Sequence, residues 1–298
     1  MILPFHAKFA KIMLHKGILG QDRKRGDRVG KQRDLYKGLK RAKDQLNEVF
    51  ERPEQSVVVH YSCESFYDRG NNPTSPRVTS LAIRNLDSGQ TRSFSIHLIA
   101  ERKGLLNQID QHYDELELEM LNEFFDAARE RRQFLWLHWN MRDANYGFEA
   151  LENRARALGG QAVSIPEERR YDLSRILVAI YGTGYIGHPR LENLMTKNHV
   201  TARDFLNGAQ EAAAFENKEF VKLHQSTLRK VDILANLAGR AHADDLQTNA
   251  SWMDKHGRSL KAAIEWFKEH WLVQAASVVI VLGAALYKWW PAVSEWIH

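Results

Sequence analysis

Apolar residues recur at helical spacing from Leu35 through Leu39, Ala42 and Leu46 to Val49, and Pro53 ends the run, so an amphipathic helix precedes that proline. From Ser56 the period changes. Val57 to Val59 form a short apolar run, RVTSLAIRNL alternates, Asp87-Ser88-Gly89 supplies a turn, and TRSFSIHLI reads as a third extended segment. Helical patterns then cover 105–132, 147–158, 173–181 and 201–240, while QFLWLHWN between the first two reads as a buried strand. This order of elements predicts an α/β domain over 56–250, with a mixed sheet carrying helices on both faces. No internal repeat is visible.

Both ends of the chain have a different character. In the first twenty residues Ile2, Phe5, Phe9, Ile12 and Met13 recur at helical spacing among Lys8, Lys11 and Lys16, without the continuous apolar core of a secretory signal. That pattern suits a partner helix, a packed helix or a cytoplasmic membrane surface. The polar run QDRKRGDRVGKQR links it to the next helix, so 1–55 reads as a basic amphipathic helical region. Mean hydropathy over the chain is −0.48, yet WLVQAASVVIVLGAALY, from Trp271 to Tyr287, carries no charge. At 1.5 Å per residue it spans roughly 25 Å, and continuing to Trp290 reaches the roughly 30 Å of a bilayer's hydrocarbon. Trp266 and Trp271 on one side, and Trp289 and Trp290 on the other, suit the two interfaces. Arg258, Lys261 and Lys268 precede the segment and only Lys288 follows it. The expectation is a connecting helix over 251–270, one inner-membrane span over 271–290, a short exported tail over 291–298, and a cytoplasmic amino-terminal part.

Composition narrows the class of protein. The 298 residues are 44% hydrophobic and 27% charged, which excludes disorder as the main state. A net charge of +5 permits a nucleic-acid or anionic-lipid partner without demanding one. The single cysteine, Cys63, excludes an intramolecular disulfide and reads as a small packed side chain. Thirteen histidines show no HxxxH or HExxH pairing, so no zinc site is expected. GTGYIG at Gly182–Gly187 matches GxGxxG, but a helical pattern precedes it and His188-Pro189-Arg190 follows. It reads as a loop between helices rather than a dinucleotide turn. Asn249-Ala-Ser251 matches a glycosylation acceptor that a cytosolic position makes inert.

Four further motifs occur in order. VVVHYSCESF ends an expected strand with Ser62 and Glu64; PRVTSLAIRNL follows; LWLHWNMRD places His138 five residues before Asp143; and GRAHADDLQT aligns Arg240, Ala241, Asp244 and Thr248 with a pattern like H-R-A-x-x-D-A-x-x-T. On these residues the stretch from Val57 to Thr248 resembles a DEDDh-type 3′-5′ exonuclease domain of the ribonuclease H-like fold. In active members of that family carboxylates hold two divalent metals about 4 Å apart and a histidine acts as base. Here the first carboxylate position is Ser62 and the histidine position is Gly239. Sliding the alignment to use His242 or Asp245 breaks the register of Arg240, Ala241 and Thr248. The resemblance therefore implies a pseudo-nuclease whose degenerate positions are Ser62, Glu64, Asp143, Gly239 and Asp244, with at most one weakly held Mg²⁺ at Glu64, Asp143 and Asp244. Its expected nucleic-acid-binding residues are Ser62, Glu64, Ser65, Phe66, His138, Trp139, Asn140, Arg142, Asp143, Tyr146, Arg240 and Asp244. Phe66, Trp139 and Tyr146 are the stacking candidates.

A degenerate nuclease domain joined to one span is similar in architecture to the HalB-type membrane effectors of Hailong anti-phage defence. That resemblance implies a single-stranded, oligodeoxyadenylate-like DNA ligand, a nucleotidyltransferase partner that makes it, and a homo-oligomeric channel, a tetramer by preference, in the lipid bilayer. Gln274 and Ser277 would line the pore, since one span encloses no lumen. An active tethered exonuclease and an anchored scaffold are the alternatives.

Overall fold

The computed structural model describes residues 34–64, 76–143 and 145–251. Ser65, Phe66, the basic amino terminus, the expected span and its Gln274 and Ser277 lie outside them. Among the described residues no helix is long and apolar enough to cross a membrane. The chain divides into two units, and the one from Leu39 to Ala250 carries the sheet.

Five strands form one mixed sheet: β1 (Ser56–Cys63), β2 (Val78–Asn85), β3 (Thr91–Ser95), β4 (Leu135–His138) and β5 (Arg170–Asp172). Their order is β3-β2-β1-β4-β5. β1 pairs antiparallel with β2 and parallel with β4, β2 is antiparallel to β3, and β4 is parallel to β5. The helices are α1 (34–51), α2 (Ile96–Lys103), α3 (Tyr113–Glu130), α4 (Phe148–Ala157), α5 (Leu173–Tyr181), α6 (Arg190–Lys197), α7 (Gly208–Glu216) and α8 (Phe220–His242).

Alternation along β1 builds the two faces. Val57, Val59 and Tyr61 enter one core with Leu116, Met120 and Phe124 of α3 and with Phe148 and Leu151 of α4. Val58 enters the other with Leu39, Leu46 and Val49 of α1, Leu173 and Leu177 of α5, and Leu234 and Leu237 of α8. Burial on both sides explains why β1 reads as a continuous apolar run. On the α8 side β1 changes character along its length, from Val58 to His60 and Ser62, and this polar end lies at the carboxyl edge of the sheet.

Several elements differ from the periodicity. TRSFSIHLI is not one strand: β3 ends at Ser95 and α2 begins at Ile96, because Ile96, Ile99 and Ala100 are buried at helical spacing. The expected helix over 105–132 opens with a 3-10 turn at Leu106–Gln108 before α3. The expected helix over 201–240 is two, broken at Asn217 and a left-handed Lys218 with φ 59°. GTGYIG lies in the loop between α5 and α6, and Gly182 there takes φ 92°, which favours glycine.

Candidate functional site

The carboxyl ends of parallel strands are where α/β sheets place ligands. A pocket of about 630 Å³ opens there, lined by Tyr61, Trp139, Tyr146, Leu191, Phe205 and Ala212 among its apolar members. Its polar members include His60, Ser62, Glu64, Asn140, Glu192, Asn207, Glu211 and Lys230.

The floor is a buried polar network between β1, β2, α7 and α8. Lys230 Nζ lies 2.7 Å from Glu211 Oε1, with both side chains largely buried. Ser62 Oγ donates to the same carboxylate oxygen at 2.8 Å. It also lies 2.9 Å from Thr227 Oγ1, which lies 2.7 Å from Ser80 Oγ. Each hydroxyl has one proton: Ser62 gives its own to the Glu211 carboxylate, so Thr227 is the donor toward Ser62 and divides its single proton between that oxygen and a second acceptor. The Leu223 carbonyl also accepts from Thr227, at 2.9 Å.

Above this floor, Tyr146 stacks on Tyr61 with ring centroids 4.6 Å apart, and its hydroxyl donates to the Tyr61 carbonyl at 3.2 Å. Burial holds both phenols well above their usual range. His60 is 7% exposed and its Nε2 has no hydrogen-bond partner among the described residues. Burial first, and then the nearby Lys230 ammonium, hold His60 well below the usual histidine range, so it is a neutral ring at pH 7. Glu64 accepts from the Arg77 amide at 3.3 Å and pairs with its guanidinium at 3.4 Å.

The structure thus brings Ser62, Glu64, Trp139, Asn140 and Tyr146 to one pocket. It places His138, Arg142 and Asp143 at a neighbouring 220 Å³ pocket beside β5. His138 is 2% exposed, accepts from the Met141 amide at 3.2 Å, and is lowered to about 4 by burial, which makes it a packed ring rather than a base. Asp143 accepts from the Asn145 amide at 2.8 Å and closes a loop, and Arg142 pairs with Asp172, the residue that caps α5.

The last motif is elsewhere. β1 meets α8 at Thr227, and Gly239 lies twelve residues further on, roughly 18 Å along a helix. A Cβ on Gly239 would meet the Phe50 ring of α1, at 3.9 Å. Arg240 and Asp244 finish α8: the Asp245 and Leu246 amides donate to the Arg240 carbonyl, and Asp244 takes φ 55°. Glu64, Asp143 and Asp244 are therefore not gathered on one ion, and no three His, Cys, Asp or Glu side chains among the described residues form a metal-holding group.

Sequence reasoning missed Glu211, Thr227 and His60, and it offered Arg229-Lys230 as a phosphate contact, whereas Lys230 is the partner of a buried carboxylate. The available signal was polar residues on the buried face of a helix, since Ser226, Thr227 and Lys230 interrupt the apolar positions Leu223, Val231 and Leu234. Reading 201–240 as one helix hid the turn that carries Glu211 back over α8. Neither a family model, nor a curated protein, nor a solved structure matches this chain. The class the geometry defines is a mixed α/β domain with a sheet-edge pocket built on a buried ion pair.

Proposed function

We propose that the chain is a membrane-anchored effector whose ribonuclease H-like, exonuclease-derived domain binds the end of single-stranded DNA without cutting it, an oligodeoxyadenylate-like strand being the leading ligand. Strand order supports the fold assignment: three antiparallel strands, β3-β2-β1, continued by two parallel ones, β4-β5. One observation carries the loss of chemistry. Ser62, at the first carboxylate position, is buried and bonded to Thr227 and Glu211, while Lys230 already neutralises Glu211. With its nearby carboxylate already paired to an ammonium, the pocket's shape and stacking faces support a reading in which it holds a strand without a divalent ion to activate water. Trp139 and Tyr146 offer π faces to a base. With the expected span over 271–290, and by analogy with the Hailong effectors, ligand occupancy would bias a homo-oligomeric channel, with a nucleotidyltransferase supplying the strand.

The test is paired binding and degradation by the full chain in detergent, using end-labelled oligodeoxyadenylate with Mg²⁺ or Mn²⁺. We expect saturable binding that survives EDTA, no shortening of the strand, and a loss of roughly five- to a hundred-fold in affinity for Trp139→Ala, since one base stack is worth about 1–3 kcal/mol. Metal-dependent release of mononucleotides would establish the tethered exonuclease instead, and absence of binding would leave the scaffold. In liposomes loaded with dye, adding or removing the strand should change leakage.

A further inference from the structure

The pocket and the point where the chain leaves the unit share one structural element. α6 presents Leu191 and Glu192 to the pocket and buries Leu194 and Met195 in the second core. At its end stands Asn198, 1% exposed. The Asn198 amide nitrogen donates to the Leu194 carbonyl at 2.9 Å and to the Gln247 carbonyl at 3.0 Å, and its Oδ1 accepts from the Gln247 amide at 2.9 Å. One side chain therefore imitates a paired strand, gripping both backbone groups of Gln247. The other end of the segment makes a second grip: in the loop ahead of α6, the Tyr185 carbonyl accepts from the Asn249 amide at 2.7 Å. Leu246, just ahead of both grips, is 1% exposed.

The 246–250 tail is otherwise weakly tied. The side chains of Gln247 and Asn249 are exposed, and the tail forms no helix or strand. Its docking rests on the Leu246 side chain and the half-buried Ala250, on the bond from the Leu246 amide to the Arg240 carbonyl, and on backbone bonds made to 182–199, the same segment whose α6 forms one wall of the pocket. After Ala250 the sequence runs on toward the expected span.

Resting on the ligand reading above, we infer that 182–199 is a coupling strap: a strand end seated against Leu191 and Glu192 fixes α6, and through Asn198 and Tyr185 that position holds the 246–250 tail docked, while an empty pocket lets it release. Because coupling is reciprocal, a tail that is harder to dock must weaken the pocket's hold on the ligand by up to the factor by which the ligand protects the tail.

Hydrogen exchange on the full chain in detergent, with and without oligodeoxyadenylate, tests this. The strand should slow exchange over 246–250 by about fivefold or more, a typical coupling factor. Asn198→Ala, which does not line the pocket, should speed exchange there without ligand and weaken binding, by no more than the protection factor seen in the wild type. Leu191→Ala, on the pocket side, should also speed exchange over 246–250 in the absence of any ligand. If the strand binds yet leaves 246–250 unchanged, and Asn198→Ala binds like the wild type, the strap is wrong and the pocket reading survives. If no strand binds, the pocket reading fails, and Leu191→Ala alone decides the strap: unchanged exchange over 246–250 overturns it.

Discussion

At the scale of single residues, the decisive arrangement is Lys230 against Glu211. Two opposite charges held largely out of water are costly to desolvate, and removing one strands the other. Lys230→Met should therefore destabilise the protein by about 3–5 kcal/mol, whereas Lys230→Met combined with Glu211→Leu should recover most of that loss. Chemical denaturation of the two variants checks this, and a double variant no better than the single would mean that the pair is not an isolated unit. The place of Ser62 near the end of a strand was legible, because the apolar run that precedes it fixes β1. Its partners were not legible, since Thr227 and Glu211 reach it from 165 and 149 residues away in sequence. That Gly239 lies beside Phe50 rather than near Ser62 was not legible for a related reason: how far along α8 the strand crosses is set by tertiary packing and not by any local pattern.

At the scale of elements, the ending of α8 makes its own prediction. Asp244 adopts a left-handed conformation that costs a non-glycine residue about 1–2 kcal/mol, less for aspartate than for most. Asp244→Gly should raise the thermal midpoint modestly and leave strand binding unchanged, whereas a metal-binding or ligand-binding Asp244 would lose binding on the same change. Elements with a full periodic face were legible: α5 occupies the 173–181 predicted for it, and α4 falls within 147–158. β5, at three residues, carries no period that a sequence can display, and it forms only because β4 offers it a parallel edge. α2 was read as strand because β-branched and aromatic residues fill β3 and isoleucines continue past it. Buried Ile99 and the left-handed Gly104, with φ 69°, settle it as a helix.

For the whole molecule, the layered α/β plan followed from the order of apolar patterns, while the pocket followed from tertiary contacts that no local pattern contains. Titration acts at this scale as well. Burial lowers His138 and His224 to about 4, and holds His60 well below its usual value, so the unfolded chain binds protons that the folded chain refuses. Stability is then full above about pH 6.5 and is lost as pH falls toward 4, by an order of 1 kcal/mol for each of His138 and His224 at pH 5.5. Glu117, raised by burial in spite of its bond to Arg154, works in the opposite direction. The thermal midpoint should fall between pH 7 and pH 5.5, and His224→Gln should flatten that dependence; a midpoint independent of pH would show that these rings are hydrated. The sheet's two margins have a bearing on assembly. One ends on the three residues of β5 and the other on the five of β3, where the Arg92 side chain stands half open to water. Margins so brief and so charged offer a neighbour little backbone to continue. Copies of this protein that gather side by side are expected to meet through surfaces other than these strand margins, each keeping a five-stranded sheet of its own.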